Sequence, residues 1–145
     1  MRRILLATCL AFALCTGVAL AALAPAGTYK GKTDQKRKVT VQVGDAGKVL
    51  RLDINWRAKC KKPKKFWTGG TTFSNPGTTD NISNAPGSYT SNAGGGFTGL
   101  ITPKLTGKFT TASKANGTLK AHVKVMKNGK KVDSCNVTTK WHAKA

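Results

Sequence analysis

The feature of the sequence that most constrains the fold is a strict alternation of apolar and polar residues. It is clearest in the segment VLRLDINWRAKC, residues 49–60, where the even-numbered positions from Leu50 to Cys60 are apolar and the odd positions between them are polar. A period of two places successive side chains on opposite faces and predicts a long, half-buried antiparallel strand. Valines at positions 39, 41 and 43 repeat the pattern. Residues 44–48, between the two runs, are therefore predicted to form a hairpin loop.

Alternation continues along most of the chain, and no segment after residue 21 keeps a helical period of apolar residues. The inward-facing residues predicted in further strands are Tyr29, Gly31 and Thr33; Trp67, Gly69, Thr71 and Phe73; Phe97, Gly99 and Ile101; and Leu105, Gly107, Phe109 and Thr111. Turns are expected at residues 102–103 and 115–117. Residues 74–96 are rich in Gly, Asn, Ser, Thr and Pro and are expected to be loops broken by a short strand near Tyr89.

The pattern indicates one all-β antiparallel domain of about eight strands, in which a closed meander barrel is favoured over a two-sheet sandwich. Glycine at inward positions favours the barrel because it lets strands bend sharply. These glycines are Gly31, Gly69, Gly99 and Gly107. The opening Gly27-Thr28-Tyr29-x-Gly31 resembles the first strand of small secreted up-and-down barrels such as avidins and lipocalin-like inhibitors. That resemblance carries no binding residues over to this chain.

The last hairpin allows a prediction of its register. Residues 119–125 and 135–141 are both apolar at odd positions, and directly paired residues lie on the same face of a sheet. A three-residue loop at residues 127–129, with a bulge at the glycine, satisfies this parity, whereas a two-residue turn would contradict the face assignment. The expected consequences are that Ala121 faces Cys135, His122 faces Ser134, and Val132 is exposed.

The start of the chain has the layout of a secretory signal peptide. A short basic segment, residues 1–3, precedes an apolar run over residues 4–20, and Ala19-Leu20-Ala21 supplies small residues for cleavage. We expect residues 1–21 to be the signal peptide and residues 22–145 to be a secreted domain, located outside the cell, in the periplasm or at the cell surface. Cleavage after Ala24 and a retained membrane anchor are the alternatives.

Export would leave two cysteines, Cys60 and Cys135, in the mature domain. A lone pair of cysteines in an oxidising compartment usually forms a disulfide, which would close a loop of about 75 residues and restrict the unfolded chain by about 4–5 kcal/mol. Two free or intermolecular thiols are the alternative. A metal site built from the two cysteines and the two histidines is disfavoured because no close Cys or His pair is present.

The mature domain is strongly basic. Removing Arg2 and Arg3 from the 25 Lys and Arg residues leaves 23 against five Asp and no Glu, a net charge of +18. Twenty of the 23 are Lys and three are Arg: Arg37, Arg51 and Arg57. Lys is a flexible, hydrated point charge, so this surface indicates diffuse, salt-sensitive attraction to polyanions. The alternative is that the lysines only keep a β-rich protein soluble.

The densest basic cluster lies in the segment WRAKCKKPKKFW, residues 56–67. The residues predicted to bind a polyanion are Arg57, Lys59, Lys61, Lys62, Lys64, Lys65 and Trp67. Pro63 ends strand pairing, so the lysines around it are expected in an exposed loop. Phe66 and Trp67 are consecutive, so one of them must face outward beside the cluster. The expected partners are acidic glycans, wall polymers, lipid head groups or extracellular nucleic acid.

Nothing in the sequence favours an enzyme or a bound cofactor. No pair of carboxylates is spaced for hydrolysis, and no phosphate-binding or dinucleotide motif is present. A Ser134–His122 pair, oriented by Asp53, is the one catalytic arrangement the predicted register would allow. A small-ligand or inhibitor-type barrel, covered by residues 74–96 and merely solubilised by its lysines, is the alternative to polyanion binding.

Overall fold

The computed structural model describes residues 23–145, which form a single antiparallel sheet of nine strands. The strands are β1 Gly27–Thr33, β2 Lys38–Val43, β3 Lys48–Cys60, β4 Phe66–Thr78, β5 Asn81–Asn84, β6 Tyr89–Gly94, β7 Phe97–Thr111, β8 Lys114–Lys127 and β9 Lys130–Lys144. A 3-10 turn, Asp45–Gly47, joins β2 to β3. The expected signal peptide, residues 1–21, lies outside the described residues. Within residues 23–145 no helix has the length and apolar character needed to cross a membrane.

The sheet closes on itself. Neighbouring strands follow the order β5-β4-β3-β2-β1-β9-β8-β7-β6, and β5 also pairs with β7. Because β7 pairs with β8 along its other edge, β5 and β6 lie one after the other on the same side of β7. Nine strands therefore occupy eight positions of an up-and-down barrel. The predicted all-β fold and closed meander barrel are confirmed.

Three buried tryptophans fill much of the barrel interior: Trp56, Trp67 and Trp141. Each indole lies against an inward glycine, at which a Cβ atom would collide with the ring. The pairs are Gly69 with Trp56, Gly99 with Trp67, and Gly107 and Gly117 with Trp141. Each buried indole removes about 200 Å² from water, which contributes roughly 5 kcal/mol before conformational entropy is counted. The inward glycines therefore also make room for the largest core side chains.

A buried hydrogen bond orients one of these tryptophans. The Nε1–H of Trp56 on β3 donates to Oγ1 of Thr71 on β4 over 2.9 Å, and this hydroxyl is also 2.9 Å from the phenol oxygen of Tyr89 on β6. A buried N–H that lacked such a partner would destabilise the fold by about 1–3 kcal/mol. One small polar network inside the core therefore connects β3, β4 and β6.

The predicted disulfide between Cys60 and Cys135 is confirmed. β3 extends past the β1–β2 hairpin and there pairs directly with β9, so that Lys59 lies opposite Asn136 and Cys60 opposite Cys135. The bond thus joins strands that are separated elsewhere in the ring by β1 and β2. It fixes the end of β3 where the basic segment of the sequence begins.

Residues 74–96 contain more strand than the sequence indicated. The short strand near Tyr89 is confirmed as β6, but β4 continues to Thr78, and β5 follows at once. Ile82 and Pro76 are buried, and the ladders to β3 and β7 hold these polar, glycine-rich segments in extended form. The expectation of a long loop covering the barrel was wrong because pairing with neighbouring strands outweighs weak local propensity.

The turns predicted at residues 102–103 and 115–117 are both wrong. Residues 102–103 lie inside β7, where Pro103 falls in the gap between β5 and β6, so one side of β7 has no ladder to disrupt there. Residues 115–117 lie inside β8, and the turn comes at residues 112–113 instead. Gly117 is required because an added Cβ would collide with the backbone of β7 at Thr106. Gly117 therefore marks a close approach of β7 and β8 rather than a turn.

The β8–β9 hairpin corrects the predicted loop but preserves the predicted faces. Lys127 lies opposite Lys130, so the turn has two residues, Asn128 and Gly129, with φ of 47° and 79°. These angles belong to a type I′ turn, which matches the twist of the strands. The predicted three-residue loop is therefore wrong.

A bulge in β9 restores the parity that the short turn would otherwise break. Val125 pairs with Asp133 while the next residue of β8 pairs with Lys131, so Val132 is the extra residue. Val132 is half-buried against the core rather than exposed. Cys135 consequently lies opposite Val123 instead of Ala121, and the odd-numbered residues of both strands face inward as predicted.

A second bulge changes one residue of the longest alternating run. Leu50 was predicted to face inward, but it is exposed, and Val49 takes the buried position. The β3–β4 register shifts here, between Val49 and Arg51, and Asn75 in the facing strand adopts a φ of 48°. From Leu52 to Cys60 the predicted alternation holds without interruption.

Candidate polyanion-binding surface

Basic residues are absent from one part of the barrel wall. Residues 66–103 contain no Lys or Arg, and they form β4, β5, β6 and the first half of β7, which are neighbours in the ring. We call the outer surface of these residues the neutral wall. All 23 Lys and Arg residues of the chain after residue 21 lie on β1, β2, β3, β8, β9, the second half of β7 and the loops at residues 34–37 and 61–65, whose outer surface we call the basic face.

Ring closure aligns lysines from three strands side by side. Lys30 of β1 lies opposite Lys144 of β9, and Lys144 lies opposite Lys114 of β8. These three exposed residues form what we call the lysine row. Lys32 of β1 is likewise opposite Lys38 of β2. Directly opposed like charges destabilise a sheet, so the arrangement is favourable only when counterions or a bound anion neutralise it.

The predicted basic loop, residues 61–65, is exposed and attached to β9. Its four lysines all face solvent: Lys61, Lys62, Lys64 and Lys65. The backbone N–H of Lys61 donates to the carbonyl oxygen of Ser134 over 2.9 Å, directly after the disulfide at Cys60. The loop and the β8–β9 hairpin, including Lys131, line one surface depression of about 530 Å³. Two basic segments far apart in the sequence therefore meet at this end of the barrel.

A cleft beside that end, which we call the Arg cleft, has a volume of about 380 Å³. Residues that line it are Arg37, Arg57, Lys59, Phe66, Asn136 and Thr138. The predicted residues Arg57 and Lys59 thus lie together on the outer face of β3. The tip of the β1–β2 hairpin forms the opposite side of the cleft and contributes Arg37.

Two contacts fix the Arg57 side of the cleft. The guanidinium carbon of Arg57 lies 3.9 Å from the centroid of the Phe66 ring, a cation–π contact worth about 0.5–1 kcal/mol at an exposed site. The side chain of Gln35 bridges to the Arg57 backbone: its Nε2 donates to the carbonyl oxygen over 2.7 Å, and its Oε1 accepts from the N–H over 2.9 Å. The hairpin tip is thereby attached to β3.

The exposed aromatic residue in the Arg cleft is Phe66 and not Trp67, which was predicted to bind the polyanion. Trp67 faces the core with 8% of its surface exposed, whereas Phe66 is 48% exposed. Sequence parity alone indicated that one of the two faces outward. Pairing of Ala58 with Trp67 places Trp67 on the same inward face as Ala58.

Of the three arginines, only Arg51 has an acidic partner in the described chain. Its Nε donates to Oδ2 of Asp53 over 2.8 Å. This hydrogen bond is the main cause that lowers the pKa of Asp53. Partial desolvation raises the pKa, but the hydroxyl of Thr72 and the charge of Lys38 lower it further. No carboxylate within residues 23–145 forms an ion pair with Arg37 or Arg57. Both guanidinium groups of the Arg cleft therefore remain available to an external anion.

The one catalytic arrangement considered from the sequence does not form. His122 lies opposite Asn136, and its Nδ1 is 2.8 Å from the Asn136 Oδ1. Ser134 instead lies opposite Lys124 and is buried. The expected Ser134–His122 pair is wrong because the two-residue turn and the bulge at Val132 each shift the register by one residue. Within residues 23–145 both cysteines are in the disulfide, and no cluster of three His, Cys, Asp or Glu side chains occurs.

Several residues of the surface were not predicted from the sequence. Arg37 was counted only as one of three arginines, and the lysines of β1 were not connected to those of β8 and β9. The absence of basic residues between positions 66 and 103 was the one available signal, because it indicates that part of the surface carries no positive charge.

No family model matches this chain, and no significant match to a curated protein or a solved structure is found. The function of the protein is therefore inferred from the chemistry of its surface.

Proposed function

We propose that this protein is a secreted, non-enzymatic β-barrel that binds anionic polymers of the extracellular space or cell envelope through its basic face. The observation that carries the proposal is the separation of charge: 23 basic residues on one part of the ring, and none between residues 66 and 103. The disulfide is compatible with an oxidising, extracellular environment. The partners proposed are acidic glycans, wall polymers, lipid head groups or extracellular nucleic acid.

The physical mechanism is Coulomb attraction together with release of counterions from the polymer. Exposed lysines attract anions without demanding a fixed geometry, because the ammonium group is a point charge on a flexible chain. Such attraction is screened over about 10 Å at 0.1 M salt. Affinity should therefore fall steeply as salt concentration rises.

The charge distribution supports binding over solubilisation. Lysines that serve only solubility work best when they are mixed with acids and spread over the whole surface. Here they are concentrated and opposed to one another in the lysine row, while the neutral wall carries one acid, Asp80, and no base. This uneven distribution, with like charges directly opposed, is explained by a polyanionic partner that neutralises one face.

The barrel interior supports this proposal over the alternative of a small-ligand or inhibitor-type barrel. A ligand barrel needs an internal cavity lined by polar and aromatic groups. The three tryptophans lie against inward glycines inside the barrel, and the segment expected to cover its mouth, residues 74–96, belongs largely to the barrel wall.

The test is the salt concentration that releases the protein from immobilised polyphosphate and from an immobilised acidic glycan. Neutralising the lysine row with K30Q, K114Q and K144Q together should lower the elution salt clearly. Wild-type protein that elutes from both polymers at low salt would overturn the proposal.

A matched control separates the basic face from net charge. Placing three acids on the neutral wall, with T90D, N92D and A93D, changes the net charge by the same three units at exposed sites of β6, whose partners on β7 carry no basic residue. This variant should elute close to the wild type. An equal shift in the two triple variants would show that overall charge, rather than the basic face, controls binding.

A further inference from the structure

The geometry points to the Arg cleft as a recognition site for a single uronic-acid unit of an acidic polysaccharide. The inference rests on the proposed function, since it selects one partner class from the anionic polymers. It goes further by assigning a discrete site, in which Arg37 and Arg57 bind the sugar carboxylate and neighbouring neutral side chains bind the sugar hydroxyls.

The two arginines of the cleft are suited to binding a carboxylate. Arg is preferred over Lys where a planar oxyanion is bound by two parallel hydrogen bonds, because its N–H donors form a rigid fork. The mature domain has only three arginines among 23 basic residues, and two of them line this one cleft. The third, Arg51, is paired with Asp53 elsewhere on β3.

The Arg57 side chain is oriented before a ligand binds. Its guanidinium group lies 3.9 Å above the Phe66 ring, and it forms no hydrogen bond with any part of residues 23–145. The ring restricts the plane of the guanidinium and leaves the N–H edge unoccupied. The backbone of the same residue is held by two hydrogen bonds to Gln35. A donor fork that is fixed before binding loses less entropy when it binds a carboxylate.

The neutral residues of the cleft are suited to binding sugar hydroxyls. Asn136 and Thr138 line the cleft from β9, and Asn136 and Lys59 are directly paired across the β3–β9 ladder. Because the Asn136 Oδ1 contacts His122, its N–H groups and the Thr138 hydroxyl are the groups available to bind sugar hydroxyls. A volume of about 380 Å³ lies within the range of small-ligand sites.

The aromatic residues argue against a nucleic-acid ligand. Sequence-independent binding of single strands uses several exposed aromatic rings on which bases stack. Within residues 23–145 Phe66 is the only exposed aromatic residue, and Arg57 already covers one face of its ring. Trp56, Trp67 and Trp141 are all in the core. The surface lacks the stacking platform that bases require.

The experiment measures affinity for an oligogalacturonate, a chain of uronic acids, and for inorganic polyphosphate, a polyanion without sugar. The key variant, R37K with R57K, keeps every charge but removes both donor forks. We expect it to bind oligogalacturonate at least tenfold more weakly than the wild type and to bind polyphosphate equally well. The protein is produced without N-glycosylation, because Asn136 begins an Asn-Val-Thr sequence and lines the cleft.

Two further variants make the test decisive. The control K30R with K114R makes equally conservative changes in the lysine row and should leave both affinities unchanged. F66L removes the ring beneath Arg57 without altering charge and should also weaken oligogalacturonate binding, which keeps the test valid if the double arginine variant does not fold.

The possible results separate the two proposals. Unchanged oligogalacturonate affinity in R37K with R57K would overturn the uronic-acid site while leaving polyanion binding intact. Equal loss of affinity for both polymers would overturn it in favour of a site for any anion. If the wild type binds neither polymer at low salt, the proposed function itself fails.

Discussion

Removing the disulfide between Cys60 and Cys135 should be the most damaging covalent change to this barrel. The bond spans a sequence separation of 75 residues. In the chain-entropy model, closing a loop of this length lowers the entropy of the unfolded chain by an amount worth about 4.5 kcal/mol at 25 °C. A domain of this size has a total stability of about 5–15 kcal/mol. Reduction should therefore remove a large part of the free energy of unfolding.

The assay is urea unfolding of the wild type, oxidised and then fully reduced, followed by tryptophan fluorescence. With a slope of about 2 kcal/mol per molar urea, a loss of 4.5 kcal/mol lowers the midpoint by about 2 M. The variant C60A with C135A should behave like the reduced protein, with a further loss of about 1 kcal/mol because both sulfur atoms are buried. A difference below about 1 kcal/mol between oxidised and reduced protein would refute the reasoning.

Two further predictions concern the core and the acid dependence of stability. Gly69→Ala should destabilise the barrel by about 1–3 kcal/mol, because the added Cβ would lie 2.7 Å from Trp56. Gly87→Ala, with no atom within 4 Å of the new Cβ, is the control; equal melting temperatures would contradict the packing argument. The pKa of Asp53 is lowered, chiefly by Arg51, so its carboxylate stabilises the fold above an unfolded-state pKa near 3.9 and loses that effect as the pH falls through its lower folded-state value. Asp53→Asn should therefore flatten the fall in urea midpoint below about pH 4, and an unchanged acid profile would show that the ion pair adds nothing.

The faces of the strands were predictable because burial enforces the period of two. Ile54, Trp56 and Ala58 must all lie inside if any of them does, since a shift by one residue would expose the whole set. The closed barrel could be inferred from glycines at inward positions, although the structure gives these glycines a second role beside the indoles. The disulfide followed from the count of two cysteines after residue 21.

The bulges and the ring closure were not predictable in the same way. Leu50 and Val132 deviate from alternation because an extra residue is accommodated locally, and no residue type in either segment signals it. The lysine row depends on the pairing of β1 with β9, which joins Lys30 to Lys144 at opposite ends of the chain. The local sequence contains no information about pairing between residues so far apart. Only the class of partner could therefore be predicted, and not the arrangement of the lysines on the surface.

The most direct test of polyanion binding is the salt dependence of the wild-type affinity for one defined polymer. The logarithm of the association constant for polyphosphate should fall linearly with the logarithm of NaCl concentration between 50 and 300 mM, with a slope on the order of −4 if about five or six charges are neutralised. A slope near zero would mean that binding does not release counterions, and it would contradict the proposal that the basic face binds anionic polymers.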